Sequence, residues 1–323
     1  MARTLEQRMA ALRTLDVGKP RALDELRDAL RSPIGILVAS AARLVAEHHR
    51  EGLGDELAGA FERLCKDGAK RDPGCRGKLA IARALDTIEH WDDRVLVAGL
   101  SYEQPEGWAG PDGGRPDDTA AELRGVCGLA HARFARADAL DVLAGLLVDP
   151  ERTTRIAAAQ GLGDAGRPDA TALLRYKILV GDDEPQVLAA CFESLLSLAR
   201  ETSIEFVTKL LTDEDGDRAE VAALALGGAR IAEAFEPLAA WCSGCLPEQR
   251  QRIGYLALAL LRDDRANALL LDAIRTRAKA DAVAAARALA TFKDDAAIAD
   301  QLRAAAKLQQ DKAARRELDA LLA

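Results

Sequence analysis

Aromatic residues are scarce in this sequence, at 4% against 49% for hydrophobic residues as a whole. Without large rings the core must be made mainly of Ala, Leu and Val on closely packed helices, which is a helical-repeat composition. Long apolar runs are missing too, and nothing approaches the roughly 20 residues that a membrane span requires. Six cysteines at irregular spacing do not form a disulfide framework in a chain of 323 residues, so reduced thiols and a cytoplasmic location are expected. There is no excess of positive charge: 44 Lys and Arg face 52 Asp and Glu, a net −8, with a pI near 5.3. That balance argues against an unspecific grip on nucleic acid, while leaving a local basic groove open. The sequence also lacks a GxSxG nucleophile elbow, a phosphate-binding GxxxxGK loop and an HExxH zinc motif.

A small residue followed by leucine recurs throughout. The leucines are Leu85, Leu129, Leu162, Leu195, Leu226, Leu258 and Leu289, and from Leu129 onward they are 31 to 33 residues apart. That interval is one helical hairpin. A lone hairpin buries only one face, so successive hairpins must stack to build a continuous core.

The spacing places hairpins at about 20–50, 53–90, 91–135, 137–165, 168–200, 203–230, 233–262 and 265–292. Before them, Leu5, Met9, Leu12 and Leu15 mark an amphipathic helix within residues 1–19, with no apolar core of the kind a secretion signal carries. A closing pair at 294–323 carries Lys307, Lys312, Arg315, Arg316 and Glu317, the polar outer face of a capping repeat. Many second helices open on N-cap signals: Ser32-Pro33, Asp72-Pro73, Asp149-Pro150-Glu151 and Asp215-Gly216-Asp217.

Asp149 to Ala170 resembles the HEAT repeat, in particular the short bacterial form shared with phycobilin-lyase-type proteins. The matching residues are Asp149-Pro150-Glu151 in the turn, Arg155, Ala157–Ala159, and Leu162-Gly163 near the helix end. Weaker copies lie at Gln186–Leu196, Glu220–Gly228 and Ala282–Ala290. The resemblance implies an α-solenoid and says almost nothing of activity, because the same repeat serves scaffolds, lyases, nucleic-acid enzymes and transport factors.

One stretch breaks the rhythm. Between Leu85 and Leu129 the interval rises to 44, and the extra residues lie in Ser101–Asp118, between the two helices of the third hairpin. This loop is rich in Gly and Pro yet contains Tyr102 and Trp108. The whole chain is similar to bacterial HEAT-repeat proteins with an aromatic-containing loop before a DTAAELR-type helix start, here Asp118 to Arg124. Insertions of this kind emerge on one edge of a solenoid and commonly create its binding specificity. Tyr102 and Trp108 can act as rigid anchors, with Asp112, Arg115 and Asp117 as polar contacts. Alternatively, Trp108 folds back to seal apolar surface under a wide opening.

Three further features compete with plainer explanations. His49 and His90 each lie five residues after a leucine, Leu44 and Leu85, and should stack on adjacent repeats. With His48, Trp91, Asp92 and Asp93 they suggest a contact corner, whereas histidines favoured by helix C-terminal dipoles need no ligand. Trp241-Cys242-Ser243-Gly244-Cys245 looks like a thioredoxin string in the wrong context, because Cys242 ends a helix instead of starting one. Acidic turns at Asp149/Glu151, Asp182/Asp183/Glu184 and Asp213/Glu214/Asp215/Asp217 suggest a ridge attractive to a basic partner or a divalent cation, although capping accounts for one acid in each. The EF-hand pattern fails at Arg218 and Leu224.

The sequence therefore predicts one all-α, right-handed α-solenoid of about nine HEAT-type hairpins over residues 1–323. It is expected to be a noncatalytic protein-interaction or scaffold module with no cofactor and no metal. Its second helices should line the concave face, and its distinctive contacts should be Tyr102, Trp108, Asp112, Arg115, His90, Trp91 and Asp93. Two alternatives stay open: a HEAT-like nucleic-acid enzyme of the alkylpurine DNA glycosylase kind, and a bilin lyase-like chromophore-handling protein.

Overall fold

Helix α1 (Leu5–Arg13) opens on a capping box, in which Thr4 accepts from the Gln7 N–H while the Gln7 side chain reaches back to the Thr4 N–H. The computed structural model describes residues 4–19, 21–107 and 116–322. Nine helical pairs follow α1 among them. The first is α2 (Ala22–Leu30) with α3 (Gly35–Glu47); the second is α4 (Gly54–Cys65), the short α5 (Gly68–Arg71) and α6 (Arg76–Thr87). The third joins α7 (Leu96–Gly99) to α8 (Ala121–Arg133), and the fourth α9 (Ala139–Leu146) to α10 (Arg152–Asp164). Next come α11 (Ala170–Val180) with α12 (Pro185–Leu198), then α13 (Arg200–Lys209) with α14 (Gly216–Gly228). In the seventh pair α15 (Phe235–Gly244) is followed by α16 (Pro247–Gln249), which passes through a π-helical turn into α17 (Tyr255–Leu261), and α15 packs on that turn and on α17. The last two are α18 (Asp264–Thr276) with α19 (Lys279–Ala290), and α20 (Ala296–Leu308) with α21 (Lys312–Leu322).

The chain divides into two compact units, Met1–Gly166 and Arg167–Ala323. In the first, the second helices form one row, α3 on α6, α6 on α8 and α8 on α10; in the second, α12, α14, α17, α19 and α21 do the same. The fold is an all-α solenoid. The described strands are β1 (Pro105–Glu106) and β2 (Asp117–Asp118), an antiparallel pair at the base of the Ser101–Asp118 insertion.

The rows pack closely because small residues stand at the crossings. A Cβ on Gly227 would lie 2.2 Å from the Ala257 carbonyl oxygen, so only glycine lets α14 approach α17 this closely. The helix starts depart slightly from expectation. Asp215 caps α14 directly, accepting from the N–H groups of Asp217 and Arg218. Ser32 and Asp149 instead accept from the N–H two residues on, Ile34 and Glu151, and thereby order the turns before α3 and α10.

The helix ends reveal the true register. Among the described residues, α3, α6, α8, α10, α14 and α17 are each followed within two residues by one with positive φ: His49, Glu89, Ala135, Gly166, Arg230 and Arg262. After the first three, the next N–H closes a Schellman bond, Arg50 to Val45, His90 to Leu85 and Arg136 to His131. The residue four before each left-handed position is therefore the repeating core residue, and it is Val45, Leu85, His131, Leu162, Leu226 or Leu258. Leu44 and Leu129, which the spacing selected, are only half-buried. In α3 the core slot falls one residue later, and in α8 a histidine fills it, so a leucine-based ruler slips. His49 and His90 are consequently not equivalent, since His90 matches Arg50.

Leu162, Leu195, Leu226 and Leu258 are fully buried. Leu195→Ala is expected to lower unfolding free energy by about 2–5 kcal/mol, and Leu195→Asp by more, since it buries an unpaired charge. Urea denaturation measures both; near-native stability of Leu195→Asp would contradict this packing.

Candidate functional site

The insertion leaves α7 through Tyr102 and returns to α8 through Asp118, with Pro105 opposite Asp118 and Glu106 opposite Asp117. Trp108, Asp112 and Arg115 lie outside the described residues. What the structure shows is how the two stems are held, and the means is a buried polar network reaching into the second and fourth hairpins.

Its first half centres on Asp72, just after α5. The carboxylate accepts from the backbone N–H groups of Gly77 (2.7 Å) and Lys78 (3.0 Å) at the start of α6, and from Lys78 Nζ (2.9 Å). Both side chains are shut off from solvent, at 1% and 0% exposure. A Cβ on Gly35 would lie 2.2 Å from Asp72 Oδ1, so glycine is needed for the carboxylate to sit against α3. The ammonium also lies 5.3 Å from the centroid of the Tyr102 ring, in cation–π range. Gln104 Nε2 donates to the Asp72 carbonyl (2.9 Å) and to Glu106 Oε1 (2.5 Å). The same Glu106 oxygen accepts from the Gly74 N–H and the Thr119 hydroxyl, each at 2.8 Å. The outgoing stem, the returning stem and the second hairpin thus share one carboxylate.

The second half centres on Arg124 in α8, which is 3% exposed. Its Nη1 donates to the Tyr102 carbonyl (2.9 Å) and to Asp118 (2.5 Å). Its Nε and Nη2 grip Asp149 of the fourth hairpin at 2.8 and 3.0 Å, a bidentate pair. Asp118 in turn accepts from the N–H groups of Gln104 (2.8 Å) and Ala120 (3.0 Å). Burial alone would raise the Asp118 carboxyl, but those two N–H bonds and Arg124 outweigh it and hold the group below the ordinary Asp range. Glu106 behaves alike: burial opposes ionisation, and the bonds from Gln104, Thr119 and Gly74 prevail. The nearby thiols do the opposite. Burial pushes Cys65 up to about 11 and Cys75 up to about 12 despite Lys78, so neither is an activated nucleophile.

The residues singled out in the sequence are used in different ways. Tyr102 is half-buried in the stem, its hydroxyl 3.1 Å from Gln104 Oε1 and its ring edge-on to Phe61. Trp91 packs edge-to-face on His131 and Phe134, with centroids 5.3 and 5.4 Å apart, and the Arg136 guanidinium covers it at 4.7 Å. Asp93 accepts from the Trp91 indole N–H at 2.6 Å. The His90 ring lies against Gly54, where a Cβ would come within 2.6 Å of it. Packing therefore covers part of this corner: His90 and Trp91 are half-buried, while Asp93 is exposed. Of the acidic turns, Asp149 is held by Arg124, Asp182 by Lys177 at 2.7 Å, and Asp213 by Arg218 at 3.1 Å. Cys242 is buried and pushed up to about 12 by burial and by Cys245, which leaves the Cys-Ser-Gly-Cys segment without a stabilised thiolate. Among the described residues, no three His, Cys, Asp or Glu side chains are grouped to hold a metal.

Sequence reasoning missed Asp72, Lys78, Gln104, Glu106 and Arg124 as a unit. One signal was available. A basic residue follows the turn acid by six positions in Asp72/Lys78, Asp118/Arg124 and Asp149/Arg155 and by five in Asp213/Arg218, a spacing that returns it over the first helical turn. No comparable pattern marks Gln104.

Comparison with known proteins bears on the architecture. Residues 141–227, which span the fourth to sixth hairpins, match the family of HEAT repeats and support a HEAT-repeat protein. No curated protein matches the chain. Among solved structures, the crystal structure of an engineered protein aligns with 99% of this chain and 91% of its own at 18% identity, with a TM-score of 0.34; a likeness at that level carries no argument.

Two measurements test the network. Lys78→Met leaves the Asp72 carboxylate buried without its cation and should cost about 3–5 kcal/mol in urea denaturation, part of which Asp72→Asn in the same chain should restore. Additive losses would show that the two side chains do not act as a pair. Because Asp118 and Glu106 have depressed folded values, their stabilisation is complete above about pH 5 and is lost as pH falls below about 4. The melting-temperature gap between wild type and Asp118→Asn should narrow from pH 6 to pH 3; a gap that stays constant would show that Asp118 is not held as the ionised partner.

Proposed function

We propose that this protein is a noncatalytic interaction or scaffold module, which presents the insertion between α7 and α8 to a protein partner. The observation that carries the reading is the anchoring of both stems: Glu106 ties the outgoing stem to the second hairpin, and Asp118 ties the returning stem to Arg124, which grips the fourth hairpin, through part-buried, charge-assisted hydrogen bonds. A simple connector needs no such investment, since loops are tolerated on solenoid edges with few contacts. Buried ion pairs contribute little net stability compared with apolar packing, and fixed geometry is a reason to keep them. HEAT repeats commonly serve as protein-interaction surfaces, which supports the same reading.

In this proposal Trp108 is the anchor, Asp112 and Arg115 are its polar neighbours, and Tyr102 supports the stem from below. His90, Trp91 and Asp93 contribute at the edge through whatever surface their packing leaves open. Six unpaired cysteines support a reducing compartment, and we place the protein in the cytoplasm with no resident cofactor. Among the described residues no helix is long and apolar enough to cross a membrane. The likeness of Asp149–Ala170 to the bacterial phycobilin-lyase-type form is assigned to repeat shape, because no observation favours pigment chemistry.

Trp108→Ala separates recognition from structure. As an anchor, its loss should weaken partner recovery in a native-cell pull-down by about 1–2 kcal/mol and leave the melting temperature nearly unchanged. Unchanged recovery with a marked fall in melting temperature would make Trp108 a structural cover and end the recognition proposal.

A further inference from the structure

The Asp72–Arg76 turn that carries the loop stem has a second face. There Pro73 and Arg76 border a pocket of about 560 Å³, opposite Ile34 and Ile36 at the start of α3 and beside Lys70 and Arg71 of α5. The two isoleucines are 37% and 45% exposed, an apolar pair left at the pocket wall. The cations are not matched by acids. Asp72 is committed to Lys78, and the Asp67 carboxylate lies 3.8 Å from Arg71 alone. Among the described residues neither Lys70 nor Arg76 has a carboxylate within ion-pair distance. Three cations and one exposed carboxylate make this a locally positive pocket in a chain of net charge −8.

We infer that this pocket binds an acidic peptide segment of the partner, one that carries an aliphatic side chain beside its carboxylates. Carboxylates meet Lys70, Arg71 and Arg76, with the guanidinium forks suited to two-point contact. The aliphatic side chain meets Ile34, Ile36 and Pro73. The volume falls within the roughly 300–1,000 Å³ of small-ligand pockets, enough for a few side chains and not a folded surface. A nucleic-acid backbone would leave the isoleucines unused, and a flat bilayer does not enter a concave site. The inference rests on the interaction-module reading and adds to it the chemistry of what is recognised. It also joins the two sites physically, because Gly74 and the Asp72 carbonyl, which hold the stem through Glu106 and Gln104, belong to the turn that forms the pocket wall.

A random heptapeptide display library panned on the full chain tests this without knowledge of the partner. Enriched sequences should combine Asp or Glu with Leu, Ile or Val. The enriched peptide, synthesised with a fluorescent label, should bind at least about tenfold more weakly to Lys70→Glu/Arg76→Glu, more weakly to Ile36→Ser, and more weakly at higher salt. Lys70→Gln/Arg76→Gln, which removes charge at two exposed positions without reversing it, should weaken binding in the same direction, and melting temperatures confirm that each variant is folded. Enrichment without acidic residues, or affinity unchanged in the folded charge variants, overturns the pocket. Binding to phosphatidylglycerol vesicles or duplex DNA in place of the peptide overturns it as well. The outcomes for the loop stay separate: if Trp108→Ala still loses the partner while the charge variants bind peptide normally, the module reading stands and the pocket falls.

Discussion

Asp72 sits where the start of α6, the side chain of Lys78 and the backbone supporting the loop stem converge, and its carboxylate cannot be moved without disturbing all three. Taking an ion pair out of water costs several kcal/mol per charge before attraction repays it. The arrangement repays it by leaving few polar groups unused: two backbone N–H groups and an ammonium meet the carboxylate, while the Tyr102 ring lies beside the ammonium. With Asp72 fixed, its carbonyl positions Gln104, Gln104 and Gly74 position Glu106, and Glu106 draws in Thr119 from the returning strand. This sequence of contacts holds the two described stems of the insertion.

The same device recurs in simpler form where there is no insertion. Arg155 donates to the carbonyls of Asp149 and Pro150, and Arg218 bridges Asp213 to the carbonyl end of α11 at Ile178 and Leu179. Gln309 stands in for the acid in the last hairpin, where Arg315 donates to its carbonyl. In each, a cation from the first turn of a second helix satisfies oxygens that a helix end or turn would otherwise leave unpaired. At the third hairpin the geometry is extended: Arg124 reaches its own turn, the outgoing stem and the next hairpin together, so a repeat contact has become an anchor for the loop.

This use of polar groups accounts for several residues that look functional in isolation. Trp91 packs on His131 and donates to Asp93, and burial raises the thiols of Cys65 and Cys75 near Lys78, which keeps them neutral. The cations left over, Lys70 and Arg76, lie on the outer side of the same turn. An acidic protein can thus carry a positive recess, because net charge is a sum over the surface and recognition is set by the few charges that remain unpaired locally.

The sequence by itself determined the repeat and the all-helical class. These follow from local rules: leucines must return every hairpin to face a neighbour, and glycine, proline and capping acids mark the turns. It did not determine the register in α3 and α8, where Val45 and His131 occupy the core position and a leucine pattern points beside it. Nor did it show that Lys78 and Gln104 are buried, since both are polar residues that sequence reasoning assigns to the surface. Only the stacking of the second and third hairpins brings Asp72 beside Gln104, 32 residues away, and only that proximity makes burial of their polar groups affordable. Helix periodicity is fixed by neighbours three and four residues apart; the network is fixed by residues a full repeat apart, and that distance is closed by tertiary packing alone.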